Sequence, residues 1–135
     1  MLKSQPIKVL LVDDSSVMRE LLRTIIRSDF FVVVGEAADG QKAIELADSL
    51  KPDLVCLDIE MPEKSGIETL KEIKAKYAKT AVVMITGSNA ASDVQQSLSN
   101  GADGYILKPF NAGRVLDALE KAVVKVKSTA GKNNS

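Results

Sequence analysis

The sequence contains no histidine and only one cysteine among its 135 residues. Without histidine, the chain cannot form a Ser-His-Asp triad, a Cys-His pair or a metal centre with imidazole ligands. Its single cysteine, Cys56, cannot form an internal disulfide, and its place in an apolar run is typical of a small core residue. These absences exclude the nucleophilic and metal chemistry that depends on histidine.

The chain also has no excess of charge of one sign and no long apolar run. Its 18 basic and 18 acidic residues balance, so no basic field favours nucleic acid or an anionic membrane as a partner. The apolar runs near residues 9–12 and 30–34 are much shorter than a transmembrane helix, and no signal-peptide core follows Lys3. With 45% hydrophobic residues, we expect one soluble cytoplasmic domain that contacts neither nucleic acid nor a membrane directly.

Short apolar runs and helical periodicity alternate five times along the chain. The predicted strands cover residues 7–13, 31–35, 53–57, 81–86 and 104–107. The helix after each strand shows apolar residues at helical spacing, including Leu21 in the first helix and Leu98 in the fourth. The fourth helix, predicted over 89–99, has the thinnest apolar stripe. Residues 128–135 are small and polar, so we predict a domain over 6–127 followed by a disordered tail.

The regular alternation of strands and helices predicts a parallel sheet with helices on both faces. Five strands suit a doubly wound α/β fold with strand order 2-1-3-4-5, the flavodoxin-like (βα)5 arrangement. Because the order reverses between strands 1 and 3, we expect the carboxyl ends of these two strands to lie side by side. Ligands of open α/β sheets bind at this edge.

The residues that end the strands are the ones able to do chemistry. Asp13 and Asp14 follow the first strand, and Asp58 follows the third. Thr86 ends the fourth strand, and Lys108 follows the fifth. The predicted topology therefore gathers three carboxylates, a hydroxyl and an ammonium group at one edge of the sheet.

This set of groups favours phosphoryl transfer. Clustered carboxylates repel each other unless a cation lies among them, and oxygen ligands without histidine or cysteine favour Mg²⁺. Lys108 would neutralise a phosphoryl group, while the hydroxyl of Thr86 and the backbone amide of Gly87 would donate to its oxygens. Asp58 can then act as the nucleophile and become an acyl phosphate. The sequence thus predicts transfer of a phosphoryl group onto Asp58.

Each of these residues also has an ordinary structural explanation. Asp13 and Asp14 can end a strand and favour the N-terminus of the next helix. Lys108 can belong to a simple turn with the proline after it, and Tyr105 is typical of a strand core. Taken together, these explanations leave the acidic cluster without a structural use, so we favour the functional interpretation.

The ordered motifs resemble those of a known family, the receiver domain of bacterial response regulators. The matching motifs are Val12-Asp13-Asp14, Leu57-Asp58-x-x-Met61-Pro62, Thr86-Gly87 and Tyr105-x-x-Lys108-Pro109-Phe110. The resemblance covers about residues 6–127, and it implies that Asp58 accepts phosphate from the phosphohistidine of a sensor histidine kinase or a phosphotransfer protein.

The resemblance also implies how Mg²⁺ is held. Asp14 and Asp58 would bind Mg²⁺ directly, together with the backbone carbonyl of Glu60, and Asp13 would bind it through water. Within the family the residue at the position of Glu60 varies, so the resemblance does not fix how long the phosphate survives.

For the phosphoryl group and the switch, the resemblance implies three further roles. Thr86 and Lys108 would hold the phosphoryl group, Tyr105 would act as the aromatic switch residue, and the Lys108–Pro109 peptide bond would be cis. The protein would then be a stand-alone, CheY-like regulator rather than an enzyme. Its phosphorylation would change how a downstream protein binds the face made by the fourth helix, fifth strand and fifth helix.

Two alternatives remain open from the sequence. The chain can be the receiver part of a longer regulator, such as a chemotaxis methylesterase. It can also be a Mg²⁺-dependent phosphatase of the haloacid-dehalogenase type, which likewise forms an aspartyl phosphate. Such enzymes resemble a D-x-D pattern on the first strand, whereas here Asp13 and Asp14 are adjacent and the predicted nucleophile follows the third strand.

Overall fold

The computed structural model describes residues 5–133, in which five strands alternate with five helices. The strands are β1 (Ile7–Val12), β2 (Phe31–Ala37), β3 (Leu54–Leu57), β4 (Ala81–Thr86) and β5 (Gly104–Leu107). The helices are α1 (Ser16–Ile26), α2 (Gly40–Leu50), α3 (Gly66–Lys76), α4 (Ala91–Ser99) and α5 (Ala112–Asn133). None of these described helices is long and apolar enough to cross a membrane.

All five strands run parallel in the order β2-β1-β3-β4-β5, which confirms the predicted doubly wound fold. One core cluster packs α1 and α5 against one face of the sheet, and a second packs α2 and α3 against the other. The central strands β3 and β4 are buried along their whole length because both of their faces are covered. The last pair between β1 and β3 joins Val12 to Leu57, so the residues that follow, Asp13 and Asp58, are neighbours.

Cys56 lies in the middle of β3 and is buried, as its apolar neighbours predict. Burial raises the pKa of its thiol to about 12, because the apolar surroundings disfavour the thiolate. The side chain is therefore a small core residue.

The helices begin in different ways. Ser15 caps α1 by accepting a hydrogen bond from the amide of Met18. A reciprocal capping box of Ser65 and Glu68 starts α3. By contrast, α4 begins after Ala90 with no side-chain cap, so its first turn is held less firmly.

Two leucines differ from their predicted burial. Leu21 is 45% exposed, because the core-facing side of α1 centres on the buried Leu22 and Ile26. Leu98 is 53% exposed, because the neighbouring Ser97 takes the buried position on α4. One residue corresponds to a 100° rotation in a helix, so α4 presents a polar residue to the core and an apolar one to solvent.

The C-terminal tail differs from its prediction over the described residues. Instead of a disordered segment from residue 128, α5 continues to Asn133. No proline follows Val126 to stop the helix. Residues 134–135 of the predicted tail lie outside the described part of the chain, and the boundary of the domain at 127 stays a prediction.

Candidate functional site

The structure brings the three predicted carboxylates together. Asp13, Asp14 and Asp58 each offer an oxygen atom, and these oxygens lie within 4.8 Å of one another. Asp13 and Asp58 are buried, whereas Asp14 is exposed, so the cluster opens to solvent on one side. The strand order causes this meeting, since β1 and β3 pair directly and end at the same level.

Lys108 supplies the positive charge of the cluster. Its ammonium Nζ lies 2.8 Å from Asp13 Oδ2 and 3.0 Å from Asp58 Oδ2, and it donates a hydrogen bond to each. Burial alone would lower the pKa of Lys108, but the hydrogen bonds to Asp13 and Asp58 outweigh it and the pKa is raised. The predicted cis Lys108–Pro109 bond is present, which confirms that expectation.

Replacing Lys108 with methionine is expected to lower the free energy of unfolding by about 2 kcal/mol in the presence of EDTA, because two buried carboxylates lose their cation. This is less than for a fully enclosed pair, since the cluster opens to solvent at Asp14. Because the pKa of Lys108 is raised, the stability that its ammonium contributes is fully present below the ordinary lysine pKa. That stability is lost as the pH rises through the raised value. Urea unfolding at neutral pH measures the change.

A matched control is Lys121→Met on α5, where the lysine pairs with Asp117 on an exposed helix surface. That variant is expected to lose about 0.5 kcal/mol or less. If the two variants were equally stable, the Lys108 ammonium would not hold the carboxylates together.

Glycine at position 66 shapes the loop that follows Asp58. A Cβ atom at Gly66 would lie 2.0 Å from the backbone oxygen of Asp58 and 2.6 Å from the Cα of Ile59. The amide of Gly66 also donates to the carbonyl of Ile59 at 2.9 Å. The start of α3 is thus pressed against the backbone of the predicted nucleophile. Gly66 was not predicted as a site residue, because its only signal in the sequence is a glycine at the start of a helix.

A chain of hydrogen bonds links Thr86 to Tyr105 through Ser88. Thr86 is fully buried at the end of β4, and its Oγ1 accepts from the amide of Ser88 at 3.3 Å. The hydroxyl of Tyr105 donates to the carbonyl of Ser88 at 2.8 Å. Ser88 Oγ in turn donates to Asp93 Oδ2 at 2.5 Å in the first turn of α4. Ser88 therefore joins β4, β5 and α4, a role that was not predicted from the sequence.

Tyr105 is half-buried, and its ring packs against the core cluster that contains Met84. Burial raises the pKa of its hydroxyl, and the carboxylates of Asp93 and Asp58 raise it further. Tyr105 therefore keeps its proton and acts as a hydrogen-bond donor at neutral pH.

Glu60 lies across the mouth of the site. Its amide donates to Asp58 Oδ1 at 3.2 Å. Its Oε1 lies 3.6 Å from where a Cβ at Gly87 would stand, so the side chain reaches towards the loop after β4. Gly87 itself is exposed beside Thr86. The carboxylate of Glu60 thus spans the opening between the ends of β3 and β4.

An open groove of about 660 Å³ lies beside the site, between the described parts of α4, β5 and α5. The residues that line it are Asn89, Val94, Tyr105, Ile106, Leu107, Arg114, Asp117, Ala118 and Lys121. Leu98 on α4 and Leu107 on β5 are also exposed. This face is the one that the resemblance implies for binding a downstream partner.

The sequence and the fold are both similar to those of response regulator proteins. The sequence matches the response regulator receiver domain family over residues 9–120. It is 43% identical over 116 residues to the chemotaxis protein CheY of Listeria monocytogenes, which covers 86% of this chain and 98% of that protein.

Solved structures of response regulator proteins have a similar fold. The response regulator domain of Thermotoga maritima CheB is 40% identical, with a TM-score of 0.80 over 87% of this chain and 96% of that one. CheY in the CheX–CheY–BeF3–Mg²⁺ complex from Borrelia burgdorferi is 35% identical, with a TM-score of 0.78 over 84% of this chain and 86% of that one.

Proposed function

The chain belongs to the receiver domain family of two-component response regulators, and from that premise we propose that Asp58 accepts a phosphoryl group from the phosphohistidine of a sensor kinase or phosphotransfer protein. The observation that carries this proposal is the arrangement around Lys108, whose ammonium contacts both Asp13 and Asp58. A buried carboxylate beside a fixed cation, at the carboxyl edge of a doubly wound sheet, suits a phosphoryl acceptor.

The same residues fit a Mg²⁺ ion, because three carboxylates offer oxygens within 4.8 Å and the ion prefers oxygen ligands. Asp14 and Asp58 would hold it directly, with the carbonyl of Glu60, and Asp13 would hold it through water. When bound, the ion supplies positive charge next to the carboxylates and the phosphoryl oxygens.

The chain's own residues account for the transfer. An oxygen of Asp58 forms a new bond to phosphorus while the bond between phosphorus and the donor's imidazole nitrogen breaks. Lys108 already lies 3.0 Å from Asp58 Oδ2, so its ammonium can pair with a phosphoryl oxygen at this place. Each turnover modifies the protein itself, so we propose a phosphoacceptor rather than an enzyme with a separate substrate. Because its donors derive their phosphate from ATP, the proposed compartment is the cytoplasm.

The test is chemical phosphorylation. Incubation with acetyl phosphate and Mg²⁺ should add one phosphate that is labile to acid and hydroxylamine, and EDTA should prevent the addition. Borohydride reduction followed by peptide mapping should then place the modification at Asp58. Phosphate found on a serine or threonine, or labelling that ignores EDTA, would contradict the proposed function.

We further propose that phosphorylation is read at the groove between α4, β5 and α5. A phosphoryl oxygen near the end of β4 gives the Thr86 hydroxyl a strong acceptor. Turning that hydroxyl changes the bond that it accepts from Ser88, and Ser88 also holds Tyr105 and the first turn of α4. Since α4 lacks a side-chain cap, it is the element most easily shifted.

Replacing Thr86 with alanine is expected to leave labelling of Asp58 largely intact while weakening its effect on α4 and Tyr105. Removal of the hydroxyl breaks the first link to Ser88, and we expect the coupling between phosphorylation and partner binding to fall by about 1 kcal/mol. NMR of α4 and Tyr105, with and without beryllofluoride, gives the measurement. Thr80→Ala, at the opposite end of β4, is the control and should behave as the wild type. Equal shifts in all three proteins would show that Thr86 does not transmit the signal.

Replacing Glu60 with asparagine is expected to accelerate loss of the phosphate. The Glu60 carboxylate spans the opening through which a water molecule must approach, and relief of about 1 kcal/mol corresponds to about fivefold in rate. Decay of the phosphoprotein, followed by loss of the label after removal of acetyl phosphate, measures the rate.

Glu63→Asn removes a carboxylate from the same loop and is the matched control. Glu63 is exposed and has a φ of 66°, a conformation that asparagine tolerates. If Glu60→Asn and Glu63→Asn decayed at the same rate, shielding by Glu60 would be refuted.

A second candidate is the receiver part of a longer regulator, favoured by the 40% identity to the response regulator domain of Thermotoga maritima CheB. Reading the gene downstream of Ser135 distinguishes the two. The family membership favours a receiver over a Mg²⁺-dependent phosphatase, and multiple turnover of an aryl phosphate would reverse that preference.

A further inference from the structure

We propose that Arg19 is a positioning residue for the phosphorylation site, because its guanidinium holds the peptide bond between Asp13 and Asp14 and so fixes the place of the Asp14 carboxylate. The inference rests on the proposed function, in which Asp14 binds Mg²⁺ directly.

The contacts of Arg19 connect the acidic cluster to the edge strand β2. Its Nη1 donates to the backbone carbonyl of Asp13 at 2.5 Å, and its Nε donates to Glu36 Oε1 at 2.9 Å. The side chain is only 17% exposed, so the guanidinium exchanges little with solvent. Glu36 also accepts from Arg23, whose hydrogen bond is the main cause of the lowered pKa of that carboxyl. An ionised Glu36 thus anchors the Arg19 guanidinium to β2.

With Arg19 in place, every polar group of Asp13 has a partner. The amide donates to the carbonyl of Ala37, Oδ1 accepts from the amide of Ser15, and Oδ2 accepts from Lys108. The carbonyl is the remaining group, and Arg19 is its donor. The residue is therefore held at both ends of its backbone and at both side-chain oxygens.

The bond to the carbonyl acts on Asp14 because the peptide group is planar. The carbonyl of Asp13 and the amide of Asp14 belong to one rigid plane, so fixing the oxygen fixes the direction in which Asp14 leaves the strand. Asp14 is the exposed member of the cluster. By fixing the plane of the Asp13–Asp14 peptide, the protein can therefore hold Asp14 in place before a cation binds.

The loss of the charge of Arg19 and the loss of its hydrogen bond to Asp13 should change the Mg²⁺ affinity in opposite directions. Removing a cation near three carboxylates makes the site more negative, and by itself that should strengthen Mg²⁺ binding. Releasing the Asp13–Asp14 peptide should weaken it, because a ligand that must first be ordered binds less tightly. A weaker affinity in the variant can therefore be assigned to position.

The experiment compares Arg19→Gln with Arg23→Gln. Both variants lose one charge of α1 and one ion pair to Glu36, but only Arg19 contacts the Asp13 carbonyl. Mg²⁺ affinity, measured by NMR titration of the backbone amides, is expected to fall about tenfold in Arg19→Gln, as for other residues that orient metal ligands. Arg23→Gln should bind Mg²⁺ as tightly as the wild type or slightly more tightly. Urea unfolding should show similar stability for the two variants.

Arg19→Lys provides the conservative replacement. It keeps the charge, but one ammonium cannot reproduce the fork that contacts Asp13 and Glu36 together, so its affinity should lie between those of the wild type and Arg19→Gln. This variant also tests the positioning role if Arg19→Gln does not fold. Equal Mg²⁺ affinity in the Arg19 variants and Arg23→Gln, with a wild type that binds Mg²⁺ and is phosphorylated, would overturn the role of Arg19 alone. A wild type that does neither would overturn the proposed function and this inference with it.

Discussion

Replacing Asp58 with asparagine is expected to abolish phosphorylation by acetyl phosphate and leave the protein folded. The amide cannot act as the nucleophile, whereas its single oxygen can still accept from Lys108, which now donates to Asp58 Oδ2 at 3.0 Å. The other hydrogen bond of the carboxylate, from the amide of Glu60 to Oδ1 at 3.2 Å, is then lost. Loss of one carboxylate also relieves repulsion within the cluster. The free energy of unfolding should therefore stay the same or rise while the label disappears.

Intact mass after incubation with acetyl phosphate and Mg²⁺ measures the label, and urea unfolding measures the stability. The control is Asp53→Asn, which makes the same change just before β3 begins. Asp53 accepts from the amide of Lys8 at 2.9 Å and lies at the opposite end of the strand from the cluster. It should be labelled like the wild type. Labelling of Asp58→Asn at the normal rate would show that the acceptor is another residue.

Replacing Gly66 with alanine is expected to lower the free energy of unfolding by about 3 kcal/mol, at the upper end of what overpacking costs. The new methyl group would lie 2.0 Å from the backbone oxygen of Asp58, and backbone atoms cannot rotate away as a flexible side chain can. Either α3 or the end of β3 has to move. Because Asp58 is part of that backbone, we also expect slower phosphorylation of the molecules that remain folded.

Gly113→Ala is the matched control. At Gly113, in the first turn of α5, the nearest atom to a new Cβ is Asn111 Oδ1 at 3.5 Å, an ordinary contact. That variant should be neutral or gain about 0.5 kcal/mol through the lower entropy of its unfolded chain. Urea unfolding midpoints compare the two, and equal midpoints would mean that the loop after β3 can yield at no cost.

The sequence alone predicted the parts of the fold that depend on local pattern and on general topology. The bounds of β4 and β5 match because polar residues or glycine follow each apolar run directly. The meeting of Asp13 and Asp58 follows from the strand order, because parallel strands that pair must end at the same edge. Thr86 and Lys108 lie at strand ends for the same reason.

Features that depend on the rotation of a helix or the path of a loop were not predictable in this way. The link from Arg19 to Asp13 requires that the first turn of α1 face β2, and the apolar pattern of α1 does not define that rotation closely. The contact of Gly66 with Asp58 depends on the course of the loop after β3. Likewise, the exchange of Ser97 and Leu98 amounts to one residue of rotation in a helix with few apolar side chains.

Because Cys56 is buried, we expect the native chain not to react with thiol reagents. With a pKa of about 12 and only 1% of its surface exposed, its side chain offers almost no thiolate to an alkylating agent or an oxidant at neutral pH. A cysteine introduced at the surface would therefore be the only thiol that reacts. Leu98→Cys would put a fluorescent label on the exposed side of α4, and movement of that helix could be followed without first removing a native cysteine.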